Sequence, residues 1–296
     1  MASDDTTART FELWRSMLPE RPDVTIEEFR AGYDRMFAEF PVDPAARIEE
    51  VDAGGVRSLV VSIGSAQPQR WIVYFHGGGY MCGNPEGVRG TAALLARALD
   101  GAVLVPDYRL APEHPHPAAV DDAVAAIRWL LDERGVDPAK VALLGDSAGG
   151  GIVVAATRRL LDARVHPAAV AGWSPWVDLE VTGATIDEKA AVDPIASGQS
   201  LTMSAQAYLQ GQDAAALSPL ALDLAGFPPL LVEVGSEEVL LDDSRRLADR
   251  ARAAGVEVEL EVADGLPHVY QYFASFLPQG RASIERTGEF VRKRTS

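Results

Sequence analysis

From residue 70 onward, short apolar runs alternate with stretches of helical periodicity, and few architectures satisfy that rhythm. The apolar runs fall at Trp71–Phe75, Ala102–Pro106, Val141–Leu144, Ala168–Trp173, Leu230–Val234 and Glu257–Val262. Helical stretches separate most of them, near residues 86–100, 118–134, 149–164 and 240–254. Strands that are apolar on both faces must be covered on both faces, which a mostly parallel sheet flanked by helices provides. Upstream, residues 47–64 (RIEEVDAGGVRSLVVSIG) contain two strand-like runs either side of Asp52-Ala-Gly-Gly55, the pattern of a hairpin. The prediction is one α/β domain with an eight-stranded, mostly parallel sheet and helices on both faces.

Two stretches depart from the rhythm. Residues 1–45 read as two short helices, the second opened by the capping box Thr25-Ile-Glu-Glu28. Ile26, Phe29, Tyr33, Met36 and Phe37 then recur at helical spacing, and Phe40-Pro41 ends the run. Residues 178–226 carry no clear strand, and a helix is predicted near 200–211. A long insertion between core strands is usually functional. Both stretches are therefore expected to form a helical cap over the carboxyl ends of the strands, leaving 46–177 and 227–296 as the core.

Composition narrows the function. The 27 Lys plus Arg stand against 43 Asp plus Glu, a formal net charge of −16, which repels phosphate backbones and anionic headgroups. Nucleic acid and membrane surfaces are thus excluded as expected partners. The single cysteine, Cys82, rules out an intrachain disulfide or a metal site of paired thiolates, and is expected to be buried filler. With an acidic N-terminus and no long apolar stretch, the expected compartment is the cytoplasm.

Two glycine-rich motifs carry chemistry. Gly145-Asp-Ser-Ala-Gly149 fits the G-x-S-x-G nucleophile elbow, a pattern expected by chance roughly 0.12 times in this composition. The strand before it and the helix after it supply the context the motif needs. A serine on such a turn stands clear of the sheet, and the helix N-terminus favours developing negative charge. His76-Gly-Gly-Gly-Tyr80 follows the Trp71–Phe75 strand, and its HGGG core is expected by chance only about 0.003 times. Glycines leave backbone amides unobstructed, as a tetrahedral oxyanion requires. The expected donors are the N–H groups of Gly78, Gly79 and Ala148, with His76 bracing the loop. A phosphate-cradling loop is the competing reading, but no P-loop lysine or G-x-G-x-x-G follows.

Together with Tyr108-Arg-Leu-Ala-Pro-Glu113, these motifs make residues 70–277 resemble the hormone-sensitive-lipase-like branch of the α/β-hydrolases, the bacterial family IV carboxylesterases. In that fold the order is nucleophile, acid, histidine. Of the five histidines, only His268 follows Ser147 with room for a strand and an acid between them, in a loop just past the Glu257–Val262 strand. The acid belongs after the Leu230–Val234 strand. The family usually has Asp-Pro-Leu-x-Asp there, and Glu238-Val-Leu-Leu-Asp242 is the best match, with Glu for Asp and Val for Pro. Glu238 is the expected acid, Glu237 and Asp242 the alternatives; Asp242 and Asp243 also suit the start of a helix. Residues 108–113 and 117–122 read as scaffold, a loop leaving a strand and an N-capped helix. Tyr80 and Trp176 are candidates for an acyl pocket.

The resemblance implies a serine esterase for small-molecule esters of short-to-medium acyl chain, working through an acyl-enzyme without metal or organic cofactor. It also allows a homodimer through the last sheet strand. An amidase, deacetylase or lactone hydrolase would use the same machinery. A non-catalytic binding protein on this scaffold would be expected to lack a triad member, whereas Ser147 and His268 are both present.

Overall fold

The computed structural model describes residues 2–17, 25–38, 40–64 and 68–295. Residues 18–24 and 39, inside the N-terminal stretch predicted as helical, lie outside the described residues. Two helices open the chain, α1 (Ala2–Ser16) and α2 (Ile26–Ala38). The predicted capping box starts α2: the Glu28 amide donates to Thr25 Oγ1 at 3.2 Å, and the Thr25 amide to the Glu28 carboxylate at 3.0 Å. Next come β1 (Arg47–Asp52), β2 (Arg57–Ser62), β3 (Trp71–Phe75), α3 (Pro85–Leu99), β4 (Ala102–Pro106) and α4 (Ala118–Asp132). β5 (Val141–Asp146), α5 (Ala148–Asp162) and β6 (Ala169–Trp173) follow. The strandless insertion then holds α6 (Thr185–Glu188), α7 (Gly198–Leu209) and α8 (Ala214–Leu217). The chain closes with β7 (Leu230–Gly235), α9 (Leu241–Ala253), β8 (Val258–Ala263) and α10 (Pro278–Arg294).

The eight strands form one sheet in the order β1-β2-β4-β3-β5-β6-β7-β8. β2 is antiparallel to both neighbours and every other pairing is parallel. Successive strand residues point to opposite faces, and the two apolar clusters follow that alternation. Trp71, Val73 and Phe75 of β3 join a cluster with α4, α5, α7 and α9, whereas Ile72 and Tyr74 join one with α1, α2, α3 and α10. β4 and β5 divide in the same way, Leu104 and Leu143 to the first cluster and Val103 and Leu144 to the second. That is why the central strands read as continuous apolar runs. Edge strand β1 is largely exposed and correspondingly polar.

Two local features differ from the sequence expectations. α10 lies beyond the predicted elements. Its signal is Pro278 at the first helical positions and Ile284, Thr287, Phe290 and Val291 buried at helical spacing, diluted by a polar outer face. α4 has no side-chain N-cap, since Pro117 occupies that position. Asp122 instead accepts the Arg109 amide at 2.8 Å and its guanidinium at 2.7 Å, tying the loop after β4 to the helix. Among the described residues, no helix is long and apolar enough to cross a membrane.

Candidate active site

Five loops leave the carboxyl ends of β3, β5, β6, β7 and β8, the end of a parallel sheet where ligands bind. The loop after β5 is a single residue, Ser147, before α5 begins. Its φ of 51° and ψ of −121° are unusual for a non-glycine residue. Packing dictates the flanking glycines: a Cβ on Gly145 would come within 2.1 Å of the Gly149 carbonyl oxygen, and one on Gly149 within 2.0 Å of the Phe75 carbonyl oxygen. Ala148 is the first residue of α5, so its amide is among the donors without an intrahelical partner.

The loop after β3 carries the HGGG run. Gly78 and Gly79 have φ of 118° and 61°, conformations open to glycine. His76 stacks on Tyr108 at 4.5 Å and donates from Nδ1 to the Gly77 carbonyl at 2.8 Å, while the Tyr108 hydroxyl donates to the His76 carbonyl at 2.8 Å. Burial lowers the His76 pKa to about 4, so it is a neutral brace. Cys82 is buried, which raises its pKa well above that of a free thiol.

His268 lies after β8 and Glu238 after β7, and His268 Nδ1 is 2.6 Å from Glu238 Oε2. Oε1 of the same carboxylate accepts the Gly235 amide at 2.6 Å and the Ser174 hydroxyl at 2.7 Å. Burial works to lower the His268 pKa, but the Glu238, Asp193 and Asp146 carboxylates together outweigh it, Glu238 foremost, and hold the imidazole above its ordinary value. The alternative acids point elsewhere. Glu237 pairs with Lys189 at 3.2 Å, and Asp242 accepts the Ala184 amide at 3.1 Å from the first turn of α9.

Ser147, His268, Gly78, Gly79 and Trp176 line one cavity of about 90 Å³. Trp14 and Met17 at the end of the first helical segment, Phe29 and Tyr33 of α2, and Ile195 and Leu201 of the insertion complete its apolar wall. Tyr80 does not line it. Its ring is 1% exposed, stacked on Tyr208 at 3.9 Å, and sits behind Trp176. Among the described residues, no group of three or more His, Cys, Asp or Glu side chains could hold a metal ion.

Several residues around the site escape sequence reasoning. Asp146, the variable position of the elbow motif, is fully buried and accepts the hydroxyls of Tyr74 and Tyr272, each at 2.6 Å. Burial outweighs those donors and raises its pKa to about 6. The Trp14 indole donates to the His268 carbonyl at 2.8 Å. Asp193 of the insertion accepts the Val239 amide at 2.8 Å, beside Glu238. None of these contacts leaves a local signal in the sequence, because each partner named here lies far away in the chain.

Residues 72–272 match the family described as alpha/beta hydrolase fold. An acetyl-hydrolase of Streptomyces hygroscopicus is 41% identical over 91% of both chains. A crystal structure of an esterase from the bacterial hormone-sensitive lipase family superposes with a TM-score of 0.95, at 42% identity over 100% of both chains. The chain belongs to the bacterial hormone-sensitive lipase family of α/β-hydrolases. It is a hydrolase of that family, as the resemblance at residues 70–277 implied. A further family structure, EstE5 soaked with p-nitrophenyl butyrate, has a TM-score of 0.92 at 37% identity over 98% of both chains.

Proposed function

We propose that the protein is a serine carboxylesterase for small esters of short-to-medium acyl chain, working through an acyl-enzyme. The observation that carries this reading is the 2.6 Å contact between Glu238 and His268, on a cavity shared with the strained Ser147 and the Gly78–Gly79 amides. His268 takes the Ser147 proton as the hydroxyl attacks the ester carbonyl, and Glu238 keeps the imidazole in the tautomer that can accept it. The oxyanion is met by the amides of Gly78, Gly79 and Ala148, reinforced by the N-terminus of α5. His268 then protonates the departing alcohol, and water repeats the sequence to release the acid. No step calls for a metal or organic cofactor.

Residues 1–45 and 178–226 act as the cap in this reading, and 46–177 with 227–296 as the core. Cap side chains such as Phe29 and Leu201 exclude water from the cavity. A space of about 90 Å³ suits a short acyl group. The acetyl-hydrolase relative and the p-nitrophenyl butyrate soak of EstE5 support the same choice. The test is hydrolysis of p-nitrophenyl esters of rising acyl length by wild type and Ser147→Ala. Turnover is expected to be fastest on the short chains and lost in the variant. A folded wild type that turns over no ester, or a variant as active as wild type, refutes the proposal.

A further inference from the structure

Ser174 is the first residue after β6, wholly buried, and no sequence motif marks it. Its hydroxyl donates to Glu238 Oε1 at 2.7 Å and accepts the Val269 amide at 3.1 Å. One proton and one lone pair thus join the proposed acid to the residue next to the proposed base. We infer that Ser174 is a positioning residue, whose single hydroxyl locks the Glu238 carboxylate and the His268 loop into one relative geometry. The inference rests on the catalytic assignment above.

Three observations carry it beyond an ordinary buried hydrogen bond. First, a glutamate carboxylate swings on three side-chain torsions, and Ser174 and the Gly235 amide together hold Oε1, leaving Oε2 aimed at His268 Nδ1. Second, the backbones on both sides of the bridge are strained. Ser174 has φ 46°, and Val269, a β-branched residue, has φ 43° with ψ 51°. The surroundings hold these conformations: the Ser174 amide donates to the Glu233 carbonyl at 2.7 Å, and the Trp14 indole holds the His268 carbonyl at 2.8 Å. Third, the bridge spans three separate loops, after β6, β7 and β8, so the acid and the backbone beside the base cannot shift relative to each other without breaking one of its two bonds. Without the hydroxyl, the buried Val269 amide would lose its acceptor and the Glu238 carboxylate one of its donors.

The test is a double-mutant cycle of Ser174→Ala and Glu238→Gln, read as kcat and KM on p-nitrophenyl butyrate. Ser174→Ala is expected to lower kcat on the order of 10- to 100-fold, the scale of a misplaced catalytic group, with KM within about twofold. In the Glu238→Gln background the same change should cost less than about threefold, because the hydroxyl acts through that carboxylate. An unchanged kcat, a loss carried by KM, or an equal loss in both backgrounds overturns the inference. Ser174→Cys, which fills the site but donates weakly, gives the same reading should the alanine variant not fold. Labelling by a fluorophosphonate, compared between wild type and Ser147→Ala, separates the two levels. If Ser147 is labelled and Glu238→Gln is crippled, a null result for Ser174 refutes only the positioning role. If neither holds, the catalytic assignment falls and this inference with it.

Discussion

Replacing Glu238 by glutamine tests the proposed acid at the level of single hydrogen bonds. The change keeps the shape of the side chain and exchanges one acceptor oxygen for a donor NH2 group. Which end goes where follows from the partners. Oε1 accepts the Gly235 amide at 2.6 Å, and a backbone N–H cannot become an acceptor. The glutamine oxygen must therefore take the Oε1 position, which turns the NH2 toward His268 Nδ1, now 2.6 Å from Oε2. Nδ1 can meet that donor only as an unprotonated acceptor, so the ring proton moves to Nε2. The imidazole then offers a donor where the mechanism needs a base. The foremost of the negative charges that offset burial at His268 disappears as well. A wrong tautomer in a serine hydrolase triad costs about 10⁴ in kcat, or about 5.4 kcal/mol at 1.36 kcal/mol per tenfold. We expect a loss of about 10³- to 10⁴-fold in kcat on p-nitrophenyl butyrate, with little change in KM. Asp242→Asn and Glu237→Gln serve as controls and should stay within about threefold of wild type, because neither carboxylate reaches His268. A Glu238→Gln loss below tenfold, or an equal loss in either control, refutes the reasoning.

The remaining predictions address the elbow and its supports. Ser147→Gly should abolish turnover yet raise the melting temperature by roughly 2 °C: relief of about 1–3 kcal/mol of strain at φ 51°, ψ −121° exceeds the ~0.5–1 kcal/mol entropic cost of glycine. A lower melting temperature would show that the elbow stores no strain. Burial lifts Asp146 from its ordinary 3.8 to about 6, so the folded state binds its proton more tightly than the unfolded chain. The sign is therefore the reverse of a salt-bridged carboxylate: this group adds stability as pH falls from about 6 toward 4, by up to about 3 kcal/mol, and that stability is lost as pH rises through 6. The stability of wild type minus that of Asp146→Asn, taken from urea unfolding, should rise as pH falls across that window, and parallel curves would rule the effect out. Trp14→Phe keeps the aromatic packing but removes the N–H that meets the His268 carbonyl at 2.8 Å, and should cost about 1 kcal/mol in thermal unfolding and a few-fold in kcat. Unchanged kcat would mean that α1 packs on the His268 loop without steadying it.

The fold was readable because its strands are short, apolar and evenly spaced by helices. Burial on both faces removes the alternation that marks a half-buried strand, so the shortness of the runs decides against helix, and Ile72 and Val73 face opposite clusters although both are fully buried. α10 was harder to read because its apolar residues form a single stripe on a polar helix. The expected cap on α4 failed for a different reason. The Asp122 side chain reaches back to Arg109, and that long-range ion pair cannot be told from a local cap by spacing alone. Tyr80, a candidate for the acyl pocket, has φ 62° and stacks on Tyr208 of α7 away from the cavity lining, a contact that no local pattern marks.

At the site, what could be read and what could not divide along the same line. Gly145 and Gly149 are demanded by contacts within the elbow and with the adjoining strand, so their spacing survives as a motif. Glu238 had two carboxylate rivals within a few residues, and composition could not separate them. The separation is geometric: the Gly235 amide, three residues upstream, and the Ser174 hydroxyl, from another strand, turn one carboxylate toward His268, while Lys189 and the Ala184 amide draw the others toward the insertion. The helical insertion therefore does more than wall the cavity. Through Lys189 on Glu237, Ala184 on Asp242 and Asp193 on the Val239 amide, it holds the residues on either side of Glu238.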